Sequence, residues 1–316
     1  MFLFTTPVFK ETIWGGKKLE EFDFEIPSDH TGEAWVIAAH PNGNSVIRSG
    51  EYEGRTLADV YRLHPELFGA SGELGAKFPL LIKIIDARED LSIQVHPDDA
   101  YAYSHENGSF GKTECWYVLD CEENASIVIG HNAKDHEDLV RMVREERWSD
   151  LIREIPVHPG DFFLIRPGTV HAIKGGTLIL ETQQNSDVTY RVYDYDRLQN
   201  GQKRPLHIEQ SLDVITAPYE APEVPDYRGL GRKITTGAEV WHLADSDYFG
   251  VDKIRVDGRF IADYSVPFLN LTVIEGEGEI DGEELKKGDS LIITNKTTKF
   301  RLEGKLTAIV SWPVKG

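Results

Sequence analysis

The chain has 316 residues, 40% of them hydrophobic and 28% charged, which is the balance of a globular protein with ample material for a core. Its formal net charge of −19, from 53 acidic against 34 basic residues, opposes nucleic acid and anionic membrane surfaces, and no Lys/Arg-rich block offsets it. The same field opposes any anionic small molecule, so a phosphorylated ligand requires a local cluster of cations.

No run approaches the roughly eighteen apolar residues that span a bilayer. The opening stretch MFLFTTPVFKETIWGG lacks the basic region and longer apolar core of a secretory signal, so a cytoplasmic location is expected. In chain order, short β-rich runs broken by Gly, Pro and Asn predict strands at Ser45–Ile47, Pro79–Ile85, Leu91–Val95, Cys115–Leu119, Ala125–Ile129, Asp161–Ile165, Thr177–Glu181 and Val188–Tyr193. Many short strands with regular turn signals point to a sandwich or barrel. Two stretches carry helical spacing instead. Thr56 to Asp59 resembles a capping box and leads into Val60, Leu63 and Leu67 on one face. From about Asp135 to Ile155, an apolar stripe of Leu139, Met142, Val143, Leu151, Ile152 and Ile155 predicts a second helix. Cys115 and Cys121 stand six apart, an even spacing that on a regular strand puts two reduced, buried thiols on one face.

The proline-rich stretch 217–236 reads as a linker between a domain at 1–225 and a smaller β unit at 237–316. The run from Gly160 to His171 (GDFFLIRPGTVH) is echoed by the run from Gly288 to Lys299 (GDSLIITNKTTK), with Lys299 where the first copy has His171. Two related barrels are expected, only the first of which keeps a metal-ligating histidine.

Three segments carry chemistry. In Leu91-Ser-Ile-Gln-Val-His-Pro97, strand alternation puts Ser92, Gln94 and His96 on one face. In Lys112-Thr-Glu-Cys-Trp, the same rule groups Lys112, Glu114 and Trp116, and Arg166-Pro-Gly-Thr-Val-His171 brings a histidine to a strand start beyond a tight turn. Two histidines and a carboxylate from three strands, with a glutamine as a fourth donor, suit a first-row divalent ion. The other histidines (His30, His40, His64, His105, His131, His136, His158, His207 and His242) show no ligand spacing and are expected at the surface or in turns.

The ordered set QxH, KTE and GDxxxIxPGTxH, with Trp14-Gly-Gly16 before it and Gln184-Asn-Ser-Asp-Val-Thr-Tyr-Arg191 after it, resembles the type I mannose-6-phosphate isomerases of the cupin superfamily in their short bacterial form. The resemblance covers about the first 200 residues and departs from the usual cupin turn at Arg166–Pro167. It implies a mainly β fold: a cupin-type β-barrel (jelly roll) with inserted helices, plus a second, smaller cupin-like barrel lacking metal ligands. It also implies one zinc ion, or another divalent first-row metal, on Gln94, His96, Glu114 and His171. Arg191, Lys112 and Asp187 are the implied catalytic groups, and Ser92 and Lys112 the implied phosphate contacts, with Trp14 against the substrate. The implied activity is the interconversion of mannose 6-phosphate and fructose 6-phosphate by proton transfer between C2 and C1, with no nucleic-acid or membrane partner. A mononuclear iron cupin oxygenase and a non-catalytic sugar-binding cupin are the alternatives. Glu181, at the end of an apolar strand, is expected to face solvent, and the general base and oligomeric state stay open.

Overall fold

The computed structural model describes residues 1–69, 77–221, 232–235 and 237–314. The expected linker lies largely outside the described residues. Among the described residues the fold is mainly β, and no helix is long and apolar enough to cross a membrane. Two sheets face each other in the first part of the chain. One has six strands in the order Phe162–Ile165, Glu114–Cys121, Thr177–Gln184, Leu80–Ala87, Val8–Gly16 and Thr31–Ile37. The other has five, ordered Ile152–Pro156, Ser126–His131, His171–Ile173, Ile93–Val95 and Tyr190–Tyr193. All pairings within them are antiparallel.

Strand alternation explains how each sheet serves two cores. In the six-stranded sheet, Ile85, Trp116, Val118 and Ile179 point between the sheets, while Ile82, Ile84, Cys115, Tyr117, Leu178 and Leu180 point to the opposite side. There they meet Trp241, Phe249, Phe268, Ile292 and Ile309 of the C-terminal sheet. Burial on both faces is why Leu80–Ala87 reads as a nearly continuous apolar run rather than an alternating one. The outer face of the five-stranded sheet (Ile93, Val95, Val128, Ala172, Tyr190 and Val192) is covered by helical residues Leu139, Met142, Val143, Leu151 and Leu212. The inner face is thereby left to Gln94, His171 and Arg191 among the apolar residues.

The helical expectations need two corrections. Thr56 does cap the helix Leu57–Leu63, its hydroxyl oxygen accepting from the Asp59 N–H at 3.2 Å, but Leu63 is 49% exposed. The buried stripe is Leu57, Val60 and Tyr61, and Leu67 follows in a separate 3-10 turn. The long helix expected from Asp135 stops at Arg144, where Glu146 takes a left-handed φ of 54°. A short helix Trp148–Leu151 follows, and Ile152–Pro156 becomes an edge strand paired with Ser126–His131. The cysteines also differ from expectation. A bulge at Leu119 shifts the register against Thr177–Gln184, so Cys115 faces the outer core while Cys121, half-buried, faces the inter-sheet side.

The C-terminal sheet has nine strands, dominated by Phe249–Asp263, Phe268–Ile280 and Lys299–Pro313. The internal echo seen in the sequence is a shared turn. Asp161 accepts the His158 N–H at 2.8 Å and Asp289 accepts the Lys286 N–H at 2.9 Å, each after a glycine of positive φ, Gly160 at 90° and Gly288 at 95°. Lys299, the counterpart of His171, is exposed and pairs with Asp263 at 3.2 Å. The sequence gives no sign that the strand Phe2–Thr6 joins this C-terminal sheet, yet Phe2, Leu3 and Phe4 pair with Ile293, Ile292 and Leu291. Leu3 packs into the core between the six-stranded and C-terminal sheets, and Phe4 into the C-terminal core. One strand therefore ties two cores together. Leu3→Ala and Phe4→Ala should each cost about 3 kcal/mol and lower the midpoint of one shared urea transition. Two separable transitions in the wild type would contradict this coupling.

Candidate metal centre

Three strands of the five-stranded sheet carry a cross-strand row. His171 stands opposite Gln94, and Gln94 opposite Arg191. Directly opposed residues share a face, so all three project toward the six-stranded sheet. That sheet answers with a second row, Glu114 opposite Gln183, and a third, Trp116 opposite Glu181 opposite Lys83. His96 reaches the same place from just beyond the strand Ile93–Val95.

Four side chains converge. Nε2 of His96 and Nε2 of His171 are 3.1 Å apart, and Glu114 Oε1 is 3.3 Å from His171 Nε2. Glu114 Oε2 is 3.5 Å from His96 Nε2, and the Gln94 side-chain amide is 3.3 Å from His171 Nε2. A half-turn of that amide exchanges its oxygen for its nitrogen. Ligands held at about 2.0–2.1 Å on a tetrahedral zinc lie about 3.3 Å from one another, so the spacing matches the edges of such a site. The tautomers match as well. His96 Nδ1–H donates to the Val188 carbonyl and His171 Nδ1–H to the Thr169 carbonyl, both at 2.8 Å, which leaves both Nε2 lone pairs aimed inward. The two Nε2 atoms face each other with no proton between them, and that of His96 also lies 3.2 Å from the Lys112 ammonium. Both Glu114 carboxylate oxygens are buried without an aligned hydrogen bond, although Lys112 Nζ lies 2.7 Å from Oε2. This is a cluster that a divalent cation would complete, and among the described residues His96, Glu114 and His171 form the one such group.

Burial and charge set the protonation states. Burial, reinforced by Lys112, pushes the His96 pKa down to about 3, and burial lowers His171 too, so both imidazoles are neutral. Burial would raise Glu114, but the Lys112 ammonium holds its carboxyl well below the usual range. A neutral histidine pair beside an ionised carboxylate is the state in which metal ligands bind.

Behind the ligands runs a buried ion chain that sequence reasoning missed. Glu181, expected at solvent, is 3% exposed and lies 3.1 Å from Lys83 and 4.0 Å from Lys112, while its second oxygen accepts the Trp116 indole N–H at 2.9 Å. Lys83 is 6% exposed and also lies 4.0 Å from Glu33. Burial would lower its pKa, but Glu181 and Glu33 more than offset that and raise it. The signal was a lysine inside the otherwise apolar Leu-Leu-Ile-Lys-Ile-Ile run and a glutamate at the matching cross-strand position, a pairing visible only once the register is known.

The remaining expected residues scatter. Lys112, expected to reach phosphate, is buried against Glu114. Ser92 is buried, while Arg191 is half-buried and donates Nη1–H to the Pro205 carbonyl at 2.7 Å. Burial, with Arg204 and Arg197 nearby, lowers the Arg191 pKa. Asp187 does not pair with Arg191. It is 44% exposed and faces His40 and Asn42. Trp14 packs with Trp116, Ile85 and Ile127 between the sheets. A Cβ on Gly32 would lie 2.5 Å from its ring, so the glycine makes room for it. Of the histidines expected at the surface, His131 is instead 4% exposed, bonded to the Thr216 carbonyl at 2.9 Å.

Comparison with known proteins agrees with this geometry. Residues 2–117 match the family description of the phosphomannose isomerase type I catalytic domain, and residues 239–313 match the mannose-6-phosphate isomerase cupin domain. Mannose-6-phosphate isomerase ManA of Bacillus subtilis is 48% identical over 314 residues, covering 98% of each chain. The chain belongs to the type I phosphomannose isomerase family. The Streptococcus mutans mannose-6-phosphate isomerase is 46% identical over 315 residues, covering 98% of this chain and 97% of its own. A crystal structure of the Bacillus subtilis mannose 6-phosphate isomerase superposes with a TM-score of 0.93 at 44% identity, covering 98% of this chain and 99% of that one. This family member is therefore an isomerase of cupin architecture, and the oxygenase and non-catalytic readings give way. In it, Glu181→Ala should cost about 3 kcal/mol by stranding the buried Lys83 charge, while the pair Lys83→Met with Glu181→Leu should cost less in chemical denaturation. A double variant worse than the single would refute the ion-pair account.

Proposed function

We propose that the protein interconverts D-mannose 6-phosphate and D-fructose 6-phosphate, using one divalent ion, zinc, held by Gln94, His96, Glu114 and His171. The observation that carries this reading is the buried set of inward-facing donors at tetrahedral spacing, in a chain whose relatives are named for that reaction. Proton transfer between C2 and C1 of the opened sugar builds negative charge on the neighbouring oxygens as the enediolate forms. When bound, the ion supplies Lewis acidity against that charge in a water-poor pocket.

The chain's own groups do the rest. Arg191, in register beside Gln94, keeps guanidinium N–H groups free of the Pro205 contact to hold the enediolate oxygens. The Lys112 ammonium, fixed between Glu114 and Glu181, is with Ser92 the proposed phosphate contact that the overall charge of −19 makes necessary. Asp187, exposed and one residue before the Val188 carbonyl that holds His96, is the proposed acceptor of a sugar hydroxyl proton. Trp14 is assigned to the packed floor rather than to the sugar.

A coupled assay following fructose 6-phosphate from mannose 6-phosphate should show turnover that a chelator abolishes and zinc restores. Metal analysis should give one ion per chain. His171→Ala should lose both metal and activity, and turnover undiminished by complete metal removal would end the reading. Arg191→Ala should keep its metal yet lose about a hundredfold in kcat, whereas Lys112→Ala should raise KM for the phosphorylated sugar.

A further inference from the structure

The hairpin Ala39–Asn44 lies outside the three rows of the metal centre, yet it holds the exposed Asp187 carboxylate from two sides. His40 Nε2 is 3.5 Å from Asp187 Oδ1, and Asn42 donates its side-chain N–H to Asp187 Oδ2. The direction of the His40 proton follows from a third contact. The Asn42 backbone N–H donates to His40 Nδ1 at 3.2 Å, so Nδ1 accepts and the ring proton sits on Nε2, facing the carboxylate. The ring itself is fixed, half-buried and edge-on to Trp35 at 5.9 Å between centroids. Burial lowers the His40 pKa; Asp187 acts against that, while Lys83, Lys10 and Lys77 act with it. A neutral His40 thus holds Asp187 without cancelling its charge.

The loop that carries Asp187 is anchored to the same hairpin and to the metal centre. Asn185 Nδ2 donates to the Ala39 carbonyl at 3.0 Å and to the Phe78 carbonyl at 2.8 Å. One residue beyond Asp187, the Val188 carbonyl takes the Nδ1–H of the ligand His96. The hairpin, the Asp187 carboxylate and a metal ligand are therefore one hydrogen-bonded unit.

We infer that His40 and Asn42 are positioning residues that clamp both oxygens of Asp187 in one orientation, acting on the reaction only through that carboxylate. This rests on the isomerase reading above. The clamp selects one rotamer of an exposed side chain, which would otherwise lose orientation between turnovers.

The test is a double-mutant cycle on the zinc-loaded full chain, with kcat, KM, bound zinc and thermal midpoint read for each variant. His40→Ala should lower kcat/KM about tenfold with zinc content unchanged, and His40→Gln, which keeps an N–H donor, should recover most of it. In the Asp187→Ala background, His40→Ala should cost nothing further, because the group it positions is gone. Additive losses in the double variant, or wild-type kinetics for His40→Ala or Asp187→Ala alone, would overturn the clamp. A wild type with no mannose 6-phosphate turnover would instead sink the isomerase reading, and shows itself before any variant is compared.

Discussion

The constraint on which the molecule depends is the burial of one ionised carboxylate. Glu114 is fully buried, and neither of its oxygens has an aligned hydrogen bond. Such a group is tolerated only among compensating charges. Lys112 supplies one, the two imidazoles offer lone pairs to a cation that would supply the other, and Glu181 and Lys83 extend the balance behind them. Apart from Lys112 and Glu114, which share the start of one strand, each of these groups sits on a different strand or strand end. The register of two sheets, set by apolar residues that never touch the site, decides whether the charges meet.

This explains how much was legible beforehand. QxH, KTE and the GTxH turn could be read because a ligand and its neighbours lie within a few residues, and alternation assigns their faces. The ion chain could not be read that way. Lys83 and Glu181 are partners only because Leu80–Ala87 and Thr177–Gln184 pair in one register. Taken singly, Glu181 looked like a strand end meeting solvent. Asp187 and Arg191 are close in sequence, but they lie on either side of the Val188 carbonyl that serves His96, and they diverge.

Local irregularities account for the remaining differences. One extra residue at Leu119 reverses the face of everything after it, which is why Cys121 does not share the side of Cys115. The helical stripe from Asp135 ran on in the sequence because Ile152 and Ile155 continue an apolar pattern that serves a strand equally well. What ends the helix is the left-handed turn at Glu146, a conformation that apolar periodicity does not report.

The strand Phe2–Thr6 also has a meaning for the order in which the molecule comes together. Its partner strand, Ser290–Thr294, is made long after it during synthesis. Leu3 and Phe4 therefore stay exposed until that distant strand has emerged. Contacts of such long sequence separation form slowly, and an apolar strand left unpaired in the meantime is a site for association between nascent chains. The device that couples the two cores in the finished enzyme is thus also the step at which its biosynthesis is most exposed to error.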